Sequence, residues 1–173
     1  NAGIYVFEPD VLKYIPEGRP VSVEREVYPT LLQKGLPLYA YKSDFYWMDT
    51  GTPPRYLKLH QDIFEKRMSL KIPAWRRVGD IIVGKNVKIH PGAHITGPAL
   101  IGDGSSIHAG AAIGPVAVLG KGVTIGEGGS VQHSVIWAGS KVGRRARVEK
   151  AIVGQNYTVE DGSHLLSTAV ANA

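Results

Sequence analysis

The chain has 173 residues, 43% hydrophobic and 20% charged, enough for one sizeable domain or two small ones and too apolar for a disordered chain. It has no cysteine, which excludes a disulfide framework and thiolate chemistry, and no apolar run approaches the length of a membrane span. The net charge of +5 is uneven: residues 1–64 carry seven Lys/Arg against eight Asp/Glu, and residues 65–173 carry thirteen against seven. That basic excess lacks interleaved aromatics and any nucleic-acid motif, so it reads as a solvated surface or an oligomer contact. The absence of cysteine fits a cytoplasmic protein, and no signal peptide is visible.

In chain order, Gly3-Ile4-Tyr5-Val6-Phe7 is a short run of β-formers and predicts a strand. Pro9 and Asp10 open a short helix over residues 11–15. Ser22 is placed to cap a helix from Val23 to about Lys34, with Glu24 and Glu26 near its positive end and Pro29 dividing or kinking it. Gly35 is the natural stop. Residues 36–42 alternate as a strand would, and residues 45–48 predict another, ended by Asp49-Thr50-Gly51. Thr52 is placed to cap a helix with Pro53 in its first turn, running to about Lys66, with Tyr56, Leu59, Ile63 and Phe64 on one face. Residues 67–81 read as a linker broken at Pro73.

From Val83 the pattern changes. Every sixth residue is a branched aliphatic: Val83, Ile89, Ile95, Ile101, Ile107, Ile113, Leu119, Ile125 and Val131. A step of five gives Ile136, then Val142 and Val148, and another gives Val153, Val159 and Leu165. Glycine follows at Gly84, Gly102, Gly114, Gly120, Gly126, Gly143 and Gly154, where φ is positive or backbone passes close. A helix would smear a period of six around its cylinder, and a simple strand would repeat every two residues. Short strands joined by tight turns, one aliphatic per strand pointing inward, produce it. The pattern resembles the left-handed parallel β-helix of hexapeptide-repeat proteins, with three hexads to a coil. Fifteen aliphatic positions then make about five coils, with Trp75 of the linker packing over the first. The expected architecture is mainly β: residues 1–66 the carboxyl-terminal part of an α/β domain, 67–81 a linker, and 82–173 the β-helix. Ile4, Val6, Phe45 and Trp47 look like interior sheet residues that need neighbours, which points to the tail of a larger α/β domain.

Three motifs precede the hexads in a particular order: residues 1–7 (Asn-Ala-Gly-Ile-Tyr-Val-Phe), residues 22–29 (Ser-Val-Glu-Arg-Glu-Val-Tyr-Pro) and residues 45–53 (Phe-Tyr-Trp-Met-Asp-Thr-Gly-Thr-Pro). With the β-helix they resemble the second half of sugar-phosphate nucleotidyltransferases, most of all the mannose-1-phosphate guanylyltransferases. The resemblance implies joining of a nucleoside triphosphate to a sugar 1-phosphate with release of pyrophosphate, a reaction that depends on positioning and charge neutralisation. It implies Mg²⁺, with Asp49 as one of two aspartates that hold it, and Asn1 on the sugar hydroxyls with Gly3 allowing close approach. From the residues alone, Asp49 serves equally as a turn or helix cap. Glu24 and Glu26 read as helix-end structure.

The family's Gly-rich nucleotide loop, its first metal aspartate and its Glu-Lys pair have no counterpart in this sequence. Gly120-Lys121-Gly122 and Gly126-Glu127-Gly128-Gly129 lie in hexad register as turn glycines. The chain alone is therefore expected not to transfer a nucleotide. Asp49-Thr50-Gly51-Thr52 is closer to thymidylyltransferases than to the Asp-Ile-Gly-Gln of guanylyltransferases, which leaves base and sugar open. Two other readings stand beside this one. Hexapeptide acyltransferases use a histidine as general base, and His90, His94, His108, His133 and His164 lie on the coils, His90 and His108 one coil apart. His90 and His94 lack the third histidine that a zinc site shared between subunits needs. Alternatively the β-helix is a non-catalytic module for homo-oligomerisation, a trimer being favoured, or regulation.

Overall fold

The computed structural model describes residues 2–68, 70 and 75–172, which form two compact units, Asn1–Trp47 and Met48–Ala173. The expectation at Pro73 lies outside the described residues.

The second unit is mainly a parallel β-solenoid. Two- and three-residue strands stack into one seven-stranded and two five-stranded sheets, here faces A, B and C. On face A, Val83, Ile101, Leu119, Ile136, Val153 and Val170 follow one another in register. Face B stacks Ile89, Ile107, Ile125, Val142 and Val159. Face C stacks Ile95, Ile113, Val131, Val148 and Leu165. The six-residue period thus builds three inward columns. Their central members, Ile101, Ile113, Leu119, Ile125, Val131, Ile136 and Val153, are fully buried. Ile89, Ile95 and Leu165 are half-buried because the end coils have a neighbour on one side only. The five-residue steps, Val131 to Ile136, Val148 to Val153 and Leu165 to Val170, all fall where face C turns into face A, at the turns through His133, Lys150 and Ser167. An antiparallel strand, β1 (Arg76–Val78), pairs with β2 (Ile81–Val83) and covers the first edge of face A. Trp75, just before it, is half-buried.

A second inward column lies two residues before the first. Ala99, Ala111, Ala117, Val123, Ala146 and Ala151 are fully buried, and Ser105, Ser134 and Ser140 occupy the same slot with their hydroxyls satisfied. Ser140 Oγ donates to the Gly154 carbonyl at 2.6 Å and accepts from Tyr157 N at 3.1 Å. Ser105 does the same toward Gly120 and Val123 at 3.0 and 3.2 Å. Serine here ties one coil to the next at a corner where the backbone amide finds no carbonyl.

The glycines that follow the aliphatics serve mainly close approach. A Cβ on Gly120 would stand 2.7 Å from Ala138 N, and one on Gly102 would stand 2.6 Å from the Gly120 carbonyl. Gly114 alone of that set has a positive φ, of 89°. Elsewhere the left-handed residue comes two positions later, as at Gly104, Gly122, Gly128 and Gly139. The chain turns there, so conformational freedom and close packing are separate demands on neighbouring glycines.

In the same unit, helix α2 covers Pro53–Phe64. Thr52 is extended and makes no side-chain cap; its carbonyl accepts from Tyr56 N at 2.9 Å. The helix lies over face A. The Tyr56 ring stands 6.3 Å from that of Trp137 in the fourth coil, and Ile63 and Phe64 face Ile82 and Pro98 of the first coil across a cleft of about 370 Å³. Three strand spacings are about 14 Å and seven helical residues about 10 Å, so the helix runs back along the stack. Face A suits it because its outward column is Ile82, Leu100, Val118, Val135 and Ile152. The matching column on face B is Lys88, Ser106, Thr124, Lys141 and Thr158.

In the first unit, Ser22 Oγ accepts from Arg25 N at 3.2 Å and starts a helical stretch that begins as a π-turn, Val23–Val27, and continues as α1, Tyr28–Gln33. Pro29 divides the two, and Gly35, at φ 66°, ends the run. A 3₁₀ turn, Pro9–Tyr14, stands where a short helix was expected. The strands expected at residues 3–7, 36–42 and 45–48 are absent. A strand exists only in a ladder, and no described strand lies within 2–47 to pair with. Ile4, Val6, Tyr39 and Tyr41 are accordingly 78%, 97%, 91% and 92% exposed.

Candidate functional site

Asp49 sits at the entrance to α2. Its Oδ1 accepts from Gly51 N at 2.9 Å, closing the turn, and its Oδ2 pairs with the Arg55 guanidinium at 2.6 Å. Both side chains are about half exposed, so the pair is solvated and weakly bound. The turn fixes a hard carboxylate oxygen at the surface, which suits one ligand of Mg²⁺, an ion that fills its other positions with water and phosphate oxygens. Arg55 shares that carboxylate and went unread in the sequence. An acid six residues before an arginine across a helix start was the available signal.

Two further ionisable groups lie along α2. Asp62 is 3% exposed and paired with Lys58 and Arg67, a structural role at the helix end. His60 stacks edge-on with Tyr56 at 4.8 Å, and its Nε2 is buried with no hydrogen-bond partner among the described residues. Burial holds the His60 imidazole below its usual range.

In the first unit, Asn1 lies outside the described residues. Gly3 has a positive φ of 68° and open space where a Cβ would stand. Tyr5, Phe7 and Tyr28 form an aromatic cluster, and the Tyr5 hydroxyl hydrogen-bonds Glu24. That bond holds the Glu24 carboxyl below the usual range, and Arg19 does so for Glu26 at 2.6 Å.

The five coil histidines are all exposed. His90 and His108 follow paired residues on face B and so stand one strand apart, with His90 Nδ1 accepting from Gly92 N at 3.0 Å. Among the described residues no three His, Asp or Glu gather as a metal would require. The Gly-rich pieces are coil turns with committed amides: Gly120 N bonds Ile136 O, Gly122 N bonds Asp103 O, Gly126 N bonds Val142 O and Gly128 N bonds Ala109 O. None of these amides is left to cradle a phosphate.

Residues 1–66 match the family model described as Nucleotidyl transferase, and residues 95–173 match the GMPPB C-terminal domain. The chain belongs to the sugar-phosphate nucleotidyltransferases that carry a β-helix. It is 39% identical to a mannose-1-phosphate guanyltransferase of Hypocrea jecorina over 98% of this chain and 43% of that protein. It is 33% identical to a UTP–glucose-1-phosphate uridylyltransferase of Synechocystis over 92% of this chain and 42% of that protein. A mannose-1-phosphate guanylyltransferase of Mycobacterium tuberculosis is 42% identical over 56% of this chain and 27% of that protein. The chain thus spans less than half the length of these curated relatives. Asp49, Gly51 and Arg55 fall within the nucleotidyltransferase match, and the solenoid carries the other. No helix among the described residues is long and apolar enough to cross a membrane.

Proposed function

We propose that this chain is the carboxyl-terminal part of an enzyme that joins a nucleoside triphosphate to a sugar 1-phosphate and releases pyrophosphate. The observation that carries the reading is the 39% identity to a mannose-1-phosphate guanyltransferase along 98% of the chain. The uridylyltransferase relative keeps the base and sugar open between guanylyl-mannose and uridylyl-glucose chemistry. Asp49 would supply one carboxylate ligand to Mg²⁺, which would neutralise charge on the phosphates. Gly51 keeps the turn narrow and its amide keeps Oδ1 in place. Arg55 holds Oδ2 and so orients the carboxylate. By the family resemblance Asn1 would hydrogen-bond the sugar hydroxyls, with Gly3 allowing close approach. The solenoid, with two outward faces free of α2, serves assembly of identical chains in the cytoplasm, three being favoured.

The test is pyrophosphate release by the enzyme that carries this sequence, with GTP, UTP, dTTP or ATP against mannose or glucose 1-phosphate and graded Mg²⁺. One pair should turn over, and Asp49→Asn should cut the rate at least tenfold and raise the Mg²⁺ requirement. No release with any pair, together with thiol release from an acyl-CoA, would place the chain among the acyltransferases instead. Sedimentation checks assembly: a monomer at every concentration counts against it.

A further inference from the structure

Resting on Asp49 as the metal carboxylate, we propose that Trp137 of the solenoid is a positioning residue for it, acting through α2. The outward column that follows the inward aliphatics on face A is Gly84, Gly102, Gly120, Trp137, Gly154 and Ala171. A single large side chain stands in a column of glycines and one alanine. Gly120 and Gly154 on the coils either side leave its flanks open, and Trp137 is still 44% exposed. Solenoid packing does not explain it, since the coils close over glycine at the other steps. Its described ring partner is Tyr56, 6.3 Å away at 63°.

Tyr56 is the residue after Arg55, in the first turn of α2. Its amide donates to the Thr52 carbonyl at 2.9 Å, which closes that turn. Arg55 pairs with Asp49 Oδ2 at 2.6 Å, and Gly51 N donates to Oδ1 at 2.9 Å. Trp137, Tyr56, Arg55 and Asp49 thus form one run of contacts from the fourth coil to the carboxylate. His60 also packs edge-on with the Tyr56 ring, at 4.8 Å. Remove the indole, and the first turn of α2 loses its stop against the solenoid. The Asp49 turn itself is exposed, with its carboxylate about half open to solvent. Coupling of this kind is reciprocal, so metal at Asp49 also tightens the Tyr56–Trp137 contact.

The experiment compares wild type, Trp137→Phe and Trp137→Ala of the whole enzyme by hydrogen exchange and by metal titration. In Trp137→Ala, exchange at the Gly51 and Tyr56 amides should rise about threefold to tenfold, the range of one lost aromatic pair, while the amides of Leu119, Ile125 and Val131 keep their protection. Trp137→Phe should restore most of it, since a ring remains. The half-saturating Mg²⁺ concentration for pyrophosphate release should rise in Trp137→Ala with KM for nucleotide changing less. Unchanged exchange at Gly51 and Tyr56, or a rise spread equally over the coils, overturns the proposal, as does an active enzyme whose Mg²⁺ response ignores the substitution. If wild type makes no nucleotide sugar, the function reading fails, and the exchange result alone decides whether Trp137 holds the Asp49 turn.

Discussion

Ser140→Ala tests how the solenoid corners are held. Ser140 is fully buried, and its hydroxyl makes two bonds to the next coil, donating to Gly154 O at 2.6 Å and accepting from Tyr157 N at 3.1 Å. Beyond Ala111 and Ala146 the amide bonds within its own turn instead, Gly129 N to Gly126 O and Ser163 N to Glu160 O. Tyr157 N takes the Ser140 hydroxyl, so alanine at 140 strands an amide and weakens a carbonyl in a dry place. Leaving a buried polar group unsatisfied costs about 1–3 kcal/mol, and alanine removes no apolar carbon that would add to that loss. A unit of this size should then melt roughly 3–10 °C lower. The assay is urea unfolding followed by far-ultraviolet circular dichroism, with Ser106→Ala as control, because Ser106 is half-buried and faces outward. The midpoint should fall for Ser140→Ala with an unchanged slope, and hold for Ser106→Ala. Equal midpoints would show that water or a shifted turn satisfies the Tyr157 amide, and the corner reasoning would fail.

Gly120→Ala and Gly122→Ala separate the two glycine roles. The first puts a Cβ 2.7 Å from backbone that cannot move away, and the second meets open space at a φ of 67°. Gly122→Ala should cost about 1–2 kcal/mol for the left-handed conformation, and Gly120→Ala more, because two coils must part. Denaturant midpoints rank them, and the reverse order refutes the assignment. His60 gives a pH dependence: its folded pKa is depressed by burial, so the unfolded chain binds more protons and stability falls as pH drops below about 6.5 toward the folded pKa. His60→Phe should flatten that slope in unfolding curves between pH 5 and 7, and an undiminished slope would assign it to other groups.

The inward columns were legible because one side chain in six must be apolar and branched whatever else the coil does. Three other features were not. The outward column Ile82, Leu100, Val118, Val135, Ile152 marks face A as the seat of a helix, but it shows only when the residue before each inward aliphatic is read as a series of every third hexad. The buried serines look polar in composition and become core only when the register places their hydroxyls on the next coil. The strands expected near Ile4 and Tyr39 have the right alternation, yet alternation specifies a face and not a partner, and the exposure of Val6 and Tyr41 follows from lacking one. For the site, the Asp49 turn was readable from Asp-Thr-Gly. Its arginine clamp had a local signal in the six-residue spacing across the helix start, whereas its approach to Trp137 depends on where α2 lies, which no local pattern encodes.

The seat of α2 has a consequence for how the solenoid opens. A stack in which each coil touches only its neighbours loses them from either end with similar ease. Here β1 pairs along the first edge of face A, and α2 reaches from Ile82 in the first coil to Trp137 in the fourth. Opening the first coil therefore also strips apolar area from the helix and from three other coils. Among the described residues the last coil has a smaller tie, the strand Ala169–Val170 and the Asn172 amide on its outer edge; Thr158–Val159 and His164–Leu166 pair with the coil beneath, and Leu165 is only half-buried. Hydrogen exchange should show amides of residues 155–170 opening at lower free energy than those of 99–136, and truncating α2's apolar contacts with Ile63→Ala should lower protection in the first coil before the fifth. Earlier exchange at Ile89 and Ile95 than at Val159 in the intact protein would mean that the helix rests on face A without bracing it.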